Sequence, residues 1–164
     1  MADGFTLRAV DLADGAVRDI SRSLAQTRFP TSIAASAGRI ATASHEGGEV
    51  QLRDAVTGKT IARWSALAQP SALALIDDDR LAVTETGAGG RLLVLDRRDV
   101  AARQVLAEGL QQPMGLVRIA QGYIVSESAA GRITRVGDTG ERRVIASGLA
   151  RPEGIARLDD GRLA

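Results

Sequence analysis

Two glutamates occupy matching positions in the chain, in surroundings that suit either a ligand pocket or a structural device. Glu85 and Glu127 each end a short apolar run, and each is followed by a hydroxyl residue, Thr86 or Ser128. Carboxylates and hydroxyls placed side by side could form the rim of a ligand pocket. They could equally accept hydrogen bonds from backbone N–H groups of the next loop. We favour the structural interpretation, because a residue that recurs at one place in a chain is more often scaffold than catalytic site.

The single histidine offers a second kind of chemistry. His45 is followed by Glu46, and together they are the residue types of an acid–base pair. Successive side chains of a strand point to opposite faces, which argues against direct cooperation of the two. Residues 46–48 read Glu-Gly-Gly, a composition typical of a turn. We therefore expect an exposed histidine without a catalytic role.

Two aspartate runs, at residues 77–79 and 159–160, supply oxygens of the kind that Ca²⁺ binds. Neither has the spacing of a helix–loop–helix calcium site. Aspartate is also favoured where a chain turns, so both runs are assigned to turns. No serine lies in a Gly-x-Ser-x-Gly motif, and the glycine-rich residues 87–90 lack the Lys-Ser/Thr pair of a phosphate loop. Catalytic residues therefore stay unassigned.

The elements that must position these residues follow from a repeat. All four prolines start equivalent units and are spaced by 40, 43 and 39 residues. A branched apolar residue follows each proline three positions later. These residues are Ile33, Leu73, Leu116 and Ile155. Each unit divides into short runs rich in β-formers that are separated by Gly and Asp. A period near 40 residues with such content predicts a β-propeller, in which four strands form one blade.

The proline has a defined place in this scheme. It cannot donate a hydrogen bond to a sheet, so it belongs at the start of a strand or at an edge. We expect each proline to lie where the chain crosses from one blade to the next. The predicted units are 30–69, 70–112 and 113–151, with partial units at 1–29 and 152–164 of a single propeller domain or fragment.

The repeats also carry a family resemblance. Residues 109–116 read Gly-Leu-Gln-Gln-Pro-Met-Gly-Leu and recur at 148–155 as Gly-Leu-Ala-Arg-Pro-Glu-Gly-Ile, followed by Asp-Asp-Gly-Arg-Leu at 159–163. This pattern resembles the six-bladed propellers of the senescence marker protein/gluconolactonase, strictosidine synthase-like and NHL-repeat groups. Residues 48–59 are more similar to a WD-repeat or quinoprotein-type strand and turn. The fold class predicted is therefore all-β, an incomplete six-bladed propeller. The alternative is a closed four-bladed ring, in which residues 1–29 and 152–164 together form one blade.

The resemblance implies a function in two versions. The first is a propeller that acts on or binds a small ester, lactone or sugar-like molecule at its central channel, as a hydrolase if it is an enzyme. The second is a non-catalytic NHL-type propeller that serves as a scaffold for a protein or ligand. Further acidic or amide residues after the blade prolines would favour the first version.

The gluconolactonase resemblance also implies a metal. In that group, acidic or amide side chains at the start of the innermost strands bind a divalent cation in the central channel. The residue after each proline is such a position and is expected to line the channel. Here these residues are Thr31, Ser71, Met114 and Glu153. Glu153 is the one good ligand for a hard cation such as Ca²⁺.

The composition of the chain argues against some classes of binding partner. The formal charge is +1, from 21 basic and 20 acidic residues that are spread through the chain. Nucleic-acid binding needs a concentrated basic face, and the sequence shows none. No apolar run reaches the length of a membrane span, and the absence of cysteine excludes disulfides. The expected partners are therefore a small molecule or a protein, with self-association through open blade edges.

The N-terminus reads Met-Ala-Asp-Gly at residues 1–4. It lacks a basic segment followed by an apolar core, so no secretory signal is visible. The default expectation is the cytoplasm. A periplasmic or secreted protein is the alternative if the N-terminus is truncated.

Overall fold

The computed structural model describes residues 7–21, 30–36 and 38–164. Residues 1–6 and 22–29 of the predicted partial unit 1–29 lie outside the described residues. The described residues form strands and turns, with no helix that could span a membrane. The strands are β1 (Leu7–Val10), β2 (Val17–Ser21), β3 (Pro30–Ala35), β4 (Arg39–Ser44), β5 (Glu49–Asp54), β6 (Thr60–Trp64), β7 (Pro70–Leu75), β8 (Arg80–Glu85), β9 (Arg91–Asp96), β10 (Asp99–Glu108), β11 (Pro113–Ile119), β12 (Gly122–Glu127), β13 (Arg132–Val136) and β14 (Arg142–Ser147).

These strands form three four-stranded sheets and one two-stranded sheet. Strands β3–β6, β7–β10 and β11–β14 each pair in chain order as an antiparallel meander, and β1 pairs with β2. We call the three larger units sheets A, B and C in chain order. Each of these sheets begins at a proline, Pro30, Pro70 or Pro113, and its register shifts directly afterwards. Proline at the first position removes no ladder hydrogen bond from the sheet interior.

The sheets pack face to face through two apolar cores. The first core lies between sheets A and B, where Trp64 and Leu52 meet Leu81 and Val83. The second lies between sheets B and C, where Ala82 belongs to the same cluster as Val125. Successive side chains of β8 thus enter opposite cores, as the two-residue period of a strand requires. The sequence pattern of short apolar runs encodes this two-sided burial.

The first strands of the three sheets are neighbours. Strand β7 lies against β3 on one side and against β11 on the other. The sheets are therefore arranged radially, with their first strands innermost, which is the arrangement of blades in a β-propeller. The predicted all-β propeller fold is confirmed, and the three sheets are its blades.

One backbone contact recurs in all three blades. A glycine in the hairpin between the second and third strands meets a leucine in the linker that leaves the blade. The pairs are Gly48 with Leu67, Gly90 with Leu110, and Gly131 with Leu149. The glycines have φ of 59°, 72° and 59°. A Cβ at Gly90 would lie 1.7 Å from the Leu110 carbonyl oxygen, so this close approach requires glycine.

The β1–β2 pair takes the place of the outer strands of a further blade. The Ile20 carbonyl oxygen of β2 lies where a Cβ at Gly58 of sheet A would be. The Leu106 carbonyl oxygen of β10 approaches Gly140 of sheet C in the same way. Strand β10 is the fourth strand of sheet B and lies beside sheet C. Strand β2 lies beside sheet A in the same way, so it holds the position of a fourth strand.

Candidate functional site

We define the proline end of the propeller as the end that carries the linkers 65–69, 109–112 and 148–151 together with the hairpins 45–48, 86–90 and 128–131. First strands begin here and second strands end here. The residues before three of the prolines have positive φ, namely Gln69 at 58°, Gln112 at 55° and Arg151 at 49°. Non-glycine residues adopt this conformation rarely and at a cost in energy. Each linker must therefore be held in place by contacts.

Buried glutamates hold the linkers that enter sheets B and C. The Ala68 amide donates to Glu85 Oε1 at 2.7 Å, and the Gln111 amide donates to Glu127 Oε2 at 2.7 Å. Both glutamate side chains are fully buried. The structural interpretation of the two glutamates thus agrees with their contacts. One detail differs from expectation, since the amides belong to the linker before the blade and not to the next loop.

An arginine also binds each glutamate. We call the buried glutamate, its arginine and the linker amide a carboxylate clasp. Arg91 Nε donates to Glu85 at 2.7 Å, and Arg132 Nε donates to Glu127 at 2.8 Å. The arginines face the glutamates across the second hairpin of their sheets. A buried carboxylate needs such charged and hydrogen-bonding partners. These carboxylates are therefore engaged in structure and are not free for a ligand.

The pKa of Glu127 reflects the same contacts. Burial alone would raise it, because a low-dielectric environment disfavours the charged form. Hydrogen bonds from Arg132, Thr134 and the Gln111 amide outweigh burial and hold the pKa of Glu127 below its ordinary value of 4.5. The carboxylate is consequently ionised at neutral pH.

His45 lies at the proline end, in a more specific environment than its sequence indicated. Its ring Nε2 and Thr86 Oγ1 are 3.0 Å apart and share a hydrogen bond. Both residues are half-buried, so the expectation of an exposed histidine was wrong. His45 belongs to sheet A and Thr86 to sheet B, so the contact joins two blades. Glu46 is exposed.

A repeat alignment could have found this contact. His45, Thr86 and Ser128 each directly follow a second strand, so they occupy one structural position in three successive blades. Sheets A and B bring two adjacent members of this row, His45 and Thr86, into contact. The row places an imidazole and two hydroxyl groups around one end of the propeller, and we call it the polar row.

The residues after the prolines have separate surroundings. Ser71 Oγ donates to the Pro113 carbonyl oxygen at 2.6 Å, which links sheets B and C. Thr31 Oγ1 donates to the Ala43 carbonyl oxygen at 3.4 Å. Met114 is half-buried. The Glu153 side chain is 61% exposed, with its carboxylate 4.0 Å from the Arg151 guanidinium. That these residues line a central channel stays a prediction.

The four residues after the prolines do not by themselves fit a calcium site. Ca²⁺ binds six to eight oxygens, several of them charged. Glu153 is the one carboxylate among them, and the hydroxyls of Thr31 and Ser71 already donate to carbonyl groups. The residues that the structure describes contain no group of three His, Cys, Asp or Glu side chains that could hold a metal ion. No chemical step is therefore assigned to a metal.

The aspartate runs shape turns at the other end of the blades. Asp77 Oδ1 accepts the amides of Asp79 and Arg80 at 2.9 and 2.8 Å. Asp160 Oδ1 accepts the Arg162 amide at 3.0 Å. Each aspartate thus satisfies backbone donors of its own turn, which is why this residue is favoured there.

Comparison with known proteins supports the β-propeller fold and identifies no family. No protein-family model matches the sequence, and no curated protein matches it. Among solved structures, the chain is similar to a catalytically inactive variant of virginiamycin B lyase from Staphylococcus aureus with quinupristin, at 17% identity and a TM-score of 0.69. That alignment covers 97% of this chain and 52% of the lyase.

Two further solved structures are also similar to the chain. The Swd1 β-propeller domain from Myceliophteria thermophila is 19% identical with a TM-score of 0.73, and the alignment covers 99% of this chain and 55% of that one. A chain of the nidogen/laminin complex is 17% identical with a TM-score of 0.76, and 94% of this chain and 61% of that chain are covered. The chain thus spans a little over half the length of these propellers. Likeness at such identities establishes the fold alone.

Proposed function

We propose that the proline end of this propeller binds a small polar molecule, of the ester, lactone or sugar-like class that the gluconolactonase and strictosidine synthase-like resemblance implies. The hydrogen bond between His45 and Thr86, 3.0 Å long, is the observation that carries the proposal. It places an imidazole and a hydroxyl from different blades at the end where the linkers and hairpins converge. A small ligand there can exchange hydrogen bonds with both groups.

The pair also has the chemistry of a hydrolase. A neutral imidazole that touches a hydroxyl can accept a proton from that hydroxyl or from a water in its place. The activated oxygen would then add to the carbonyl carbon of a bound ester or lactone, the C–O bond to the leaving alkoxide would break, and the proton held by the imidazole would pass to that alkoxide. In this proposal His45 is the general base for a water, and Thr86, whose hydroxyl also donates to the Gln69 carbonyl oxygen at 3.3 Å, holds the ring in position.

Hydrolysis and binding are tested separately. Glucono-δ-lactone and 4-nitrophenyl acetate serve as probes, with release of acid or nitrophenolate as the rate measurement and calorimetry with the lactone as the binding measurement. General-base catalysis is worth about a hundredfold or more in rate, so His45→Gln should lower the rate by about that factor. Glu46→Gln is the matched control, because Glu46 is the exposed neighbour.

The outcomes separate the two versions of the function. Lactone binding without turnover would support a binding propeller and remove the hydrolase. Equal rates for wild type, His45→Gln and Glu46→Gln would contradict the role of His45. If neither probe binds, the small-molecule proposal fails and the NHL-type scaffold for a protein partner takes its place.

The contribution of Glu153 to a divalent cation stays a separate prediction of the family resemblance. Exchange of a charged oxygen for a neutral one weakens a hard-cation site, so Glu153→Gln should weaken Ca²⁺ binding. Calorimetry with Ca²⁺ decides it. If wild type and Glu153→Gln bind the cation identically, or neither binds, Glu153 is a surface residue.

A further inference from the structure

A cleft lies between sheets B and C, at the end of the blades opposite the proline end. We call this the turn end, because the turns at residues 76–79, 120–121 and 137–141 lie there. The cleft has a volume of about 280 Å³. Its apolar side chains are Ile76, Val94 and Leu106. Its polar and charged side chains are Arg80, Gln104, Arg118, Tyr123 and Asp138, and the Asp138 carboxylate is paired with Arg118. Its lining thus combines three apolar side chains with convergent polar and charged groups, which can fix the orientation of a small molecule.

Tyr123 is the residue that distinguishes this cleft. Its side chain lines the cleft although the residue is only 1% exposed. The Tyr123 hydroxyl makes no hydrogen bond with another described residue and is not one of the buried polar atoms that lack a partner, so it is accessible from the cleft. The equivalent positions in β4 and β8 are Ile40 and Leu81, both buried. The scaffold therefore requires only an apolar residue here, and the hydroxyl is additional.

The protonation state of this hydroxyl suits a hydrogen-bond donor. Burial raises the pKa of Tyr123 above its ordinary value of 10.0, outweighing the opposing effect of Arg118. The group is therefore protonated at all physiological pH values. It can donate one hydrogen bond to an acceptor that enters the cleft.

Two arginines line the cleft together with the tyrosine, and each is hydrogen-bonded to an aspartate. The Arg118 guanidinium carbon lies 4.7 Å from the centre of the Tyr123 ring, and Arg118 Nη1 donates to Asp138 at 2.6 Å. Arg80 donates to Asp77 Oδ2 through Nε and Nη2, at 2.9 and 2.7 Å. Each guanidinium has five N–H donors, so both retain donors for a ligand. Because each is already paired with an aspartate, a singly charged ligand suits the site better than a dianion.

We propose that this cleft binds a small organic monocarboxylate with a compact apolar body. Its carboxylate would accept hydrogen bonds from Arg80, Arg118 and the Tyr123 hydroxyl. Its apolar body would lie against Ile76 and Leu106. Arginine and carboxylate match geometrically as planar, charge-assisted partners, which is the reason for this ligand class.

The test uses 4-fluorobenzoate as probe and 4-fluorobenzamide as its uncharged counterpart, each titrated with the 164-residue chain by fluorine NMR. We expect saturable binding of the benzoate and at least tenfold weaker binding of the benzamide. Tyr123→Phe removes only the hydroxyl, and loss of one hydrogen bond to a charged group should weaken benzoate binding about tenfold. Urea unfolding of Tyr123→Phe verifies that the fold is retained.

A matched pair of arginine variants controls for general charge effects. Arg162 pairs with Asp160 in an equivalent turn, as Arg80 pairs with Asp77, but it lies outside the cleft. Arg80→Gln should weaken benzoate binding, and Arg162→Gln should leave it unchanged. The proposal would be overturned by any one of three outcomes: equal binding of benzoate and benzamide, equal effects of the two arginine variants, or no saturable binding. His45→Gln must not affect benzoate binding, so failure at one end is distinguishable from failure at the other.

Discussion

The second strand of sheet A ends differently from those of sheets B and C, although all three blades share one architecture. In sheets B and C this strand ends in a buried glutamate, Glu85 or Glu127, that pairs with an arginine and accepts a linker amide. In sheet A the equivalent residue is Ser44, whose hydroxyl accepts the Gly47 amide at 3.1 Å. The arginine position is occupied there by Glu49.

The difference extends to the charges around that position. Glu49 is buried and lies 3.2 Å from the Arg63 guanidinium, on the next strand of the same sheet. The charge pair of sheet A thus lies between its third and fourth strands, whereas in sheets B and C it lies between the second and third. The glycine–leucine contact of the hairpin, by contrast, is present in all three blades.

The comparison separates what a blade requires from what it tolerates. Close backbone packing between hairpin and linker recurs without exception in the three sheets, because no side chain fits between Gly90 and the Leu110 carbonyl. The carboxylate clasp is not required in every blade, because sheet A has Ser44 and Glu49 at the two positions. Two experiments test this distinction directly, and two further ones, with smaller expected effects, test the protonation of Glu127 and the exposed leucine that follows sheet C.

The largest effect is expected from the shared contact. In Gly90→Ala the new methyl group would overlap the Leu110 carbonyl, at a φ of +72° that alanine disfavours. Backbone strain and overpacking together should lower the free energy of unfolding by about 4 kcal/mol. Gly89→Ala is the control, since Gly89 has a φ of +78° with nothing within 4 Å, and strain alone should cost about 1 kcal/mol. Urea denaturation measures both, and equal losses would contradict a steric role.

The second experiment removes the carboxylate clasp. Glu127→Ala leaves the Arg132 guanidinium and the Gln111 amide without their acceptor. We expect the free energy of unfolding to fall by about 3 kcal/mol, at the lower end for a broken buried pair because Arg132 is partly exposed. Ser44→Ala should cost about 1 kcal/mol, the value of one hydrogen bond. Comparable losses in urea denaturation would show that the serine and the glutamate are equally important to their blades.

The third experiment uses pH. Because the pKa of Glu127 is lower in the folded protein than its ordinary 4.5, the unfolded chain binds the proton more readily. The stabilisation is complete above the unfolded value and is lost as the pH falls through the folded value. Wild type should therefore lose stability below about pH 4.5 more steeply than Glu127→Gln, which has no proton to bind. Parallel pH profiles of the two proteins, from urea denaturation, would exclude this contribution.

The smallest effect concerns association. Leu149 is 42% exposed, whereas its equivalents Leu67 and Leu110 are 6% and 2% exposed. With Val144 and Ile145 also exposed, this region presents apolar surface of the kind that promotes association. We expect sedimentation velocity to detect reversible self-association of the 164-residue chain, and Leu149→Ser to reduce it. Sedimentation of wild type as a monomer at all concentrations would contradict the expectation.

The sequence by itself determined the repeat, the β-rich units and the place of the prolines. These properties are local, since turn chemistry and two-residue alternation act between near neighbours. The structural interpretation of Glu85 and Glu127 also followed from their repetition. The identity of the amides they accept did not, because those amides lie 16 and 17 residues away in the linker.

Only the tertiary structure decided which groups meet between blades. His45 reaches Thr86, 41 residues on, and Tyr123 shares a cleft with Arg80 of the preceding sheet. In sheet A, the buried polar residues Gln51 and Arg53 of β5 lie on the face opposite the apolar core. Such juxtapositions depend on how the sheets stack, and a repeat pattern specifies that each blade packs on the next without specifying which side chains share the interface. The candidate sites therefore lie where neighbouring blades meet, at positions where one blade departs from the common pattern.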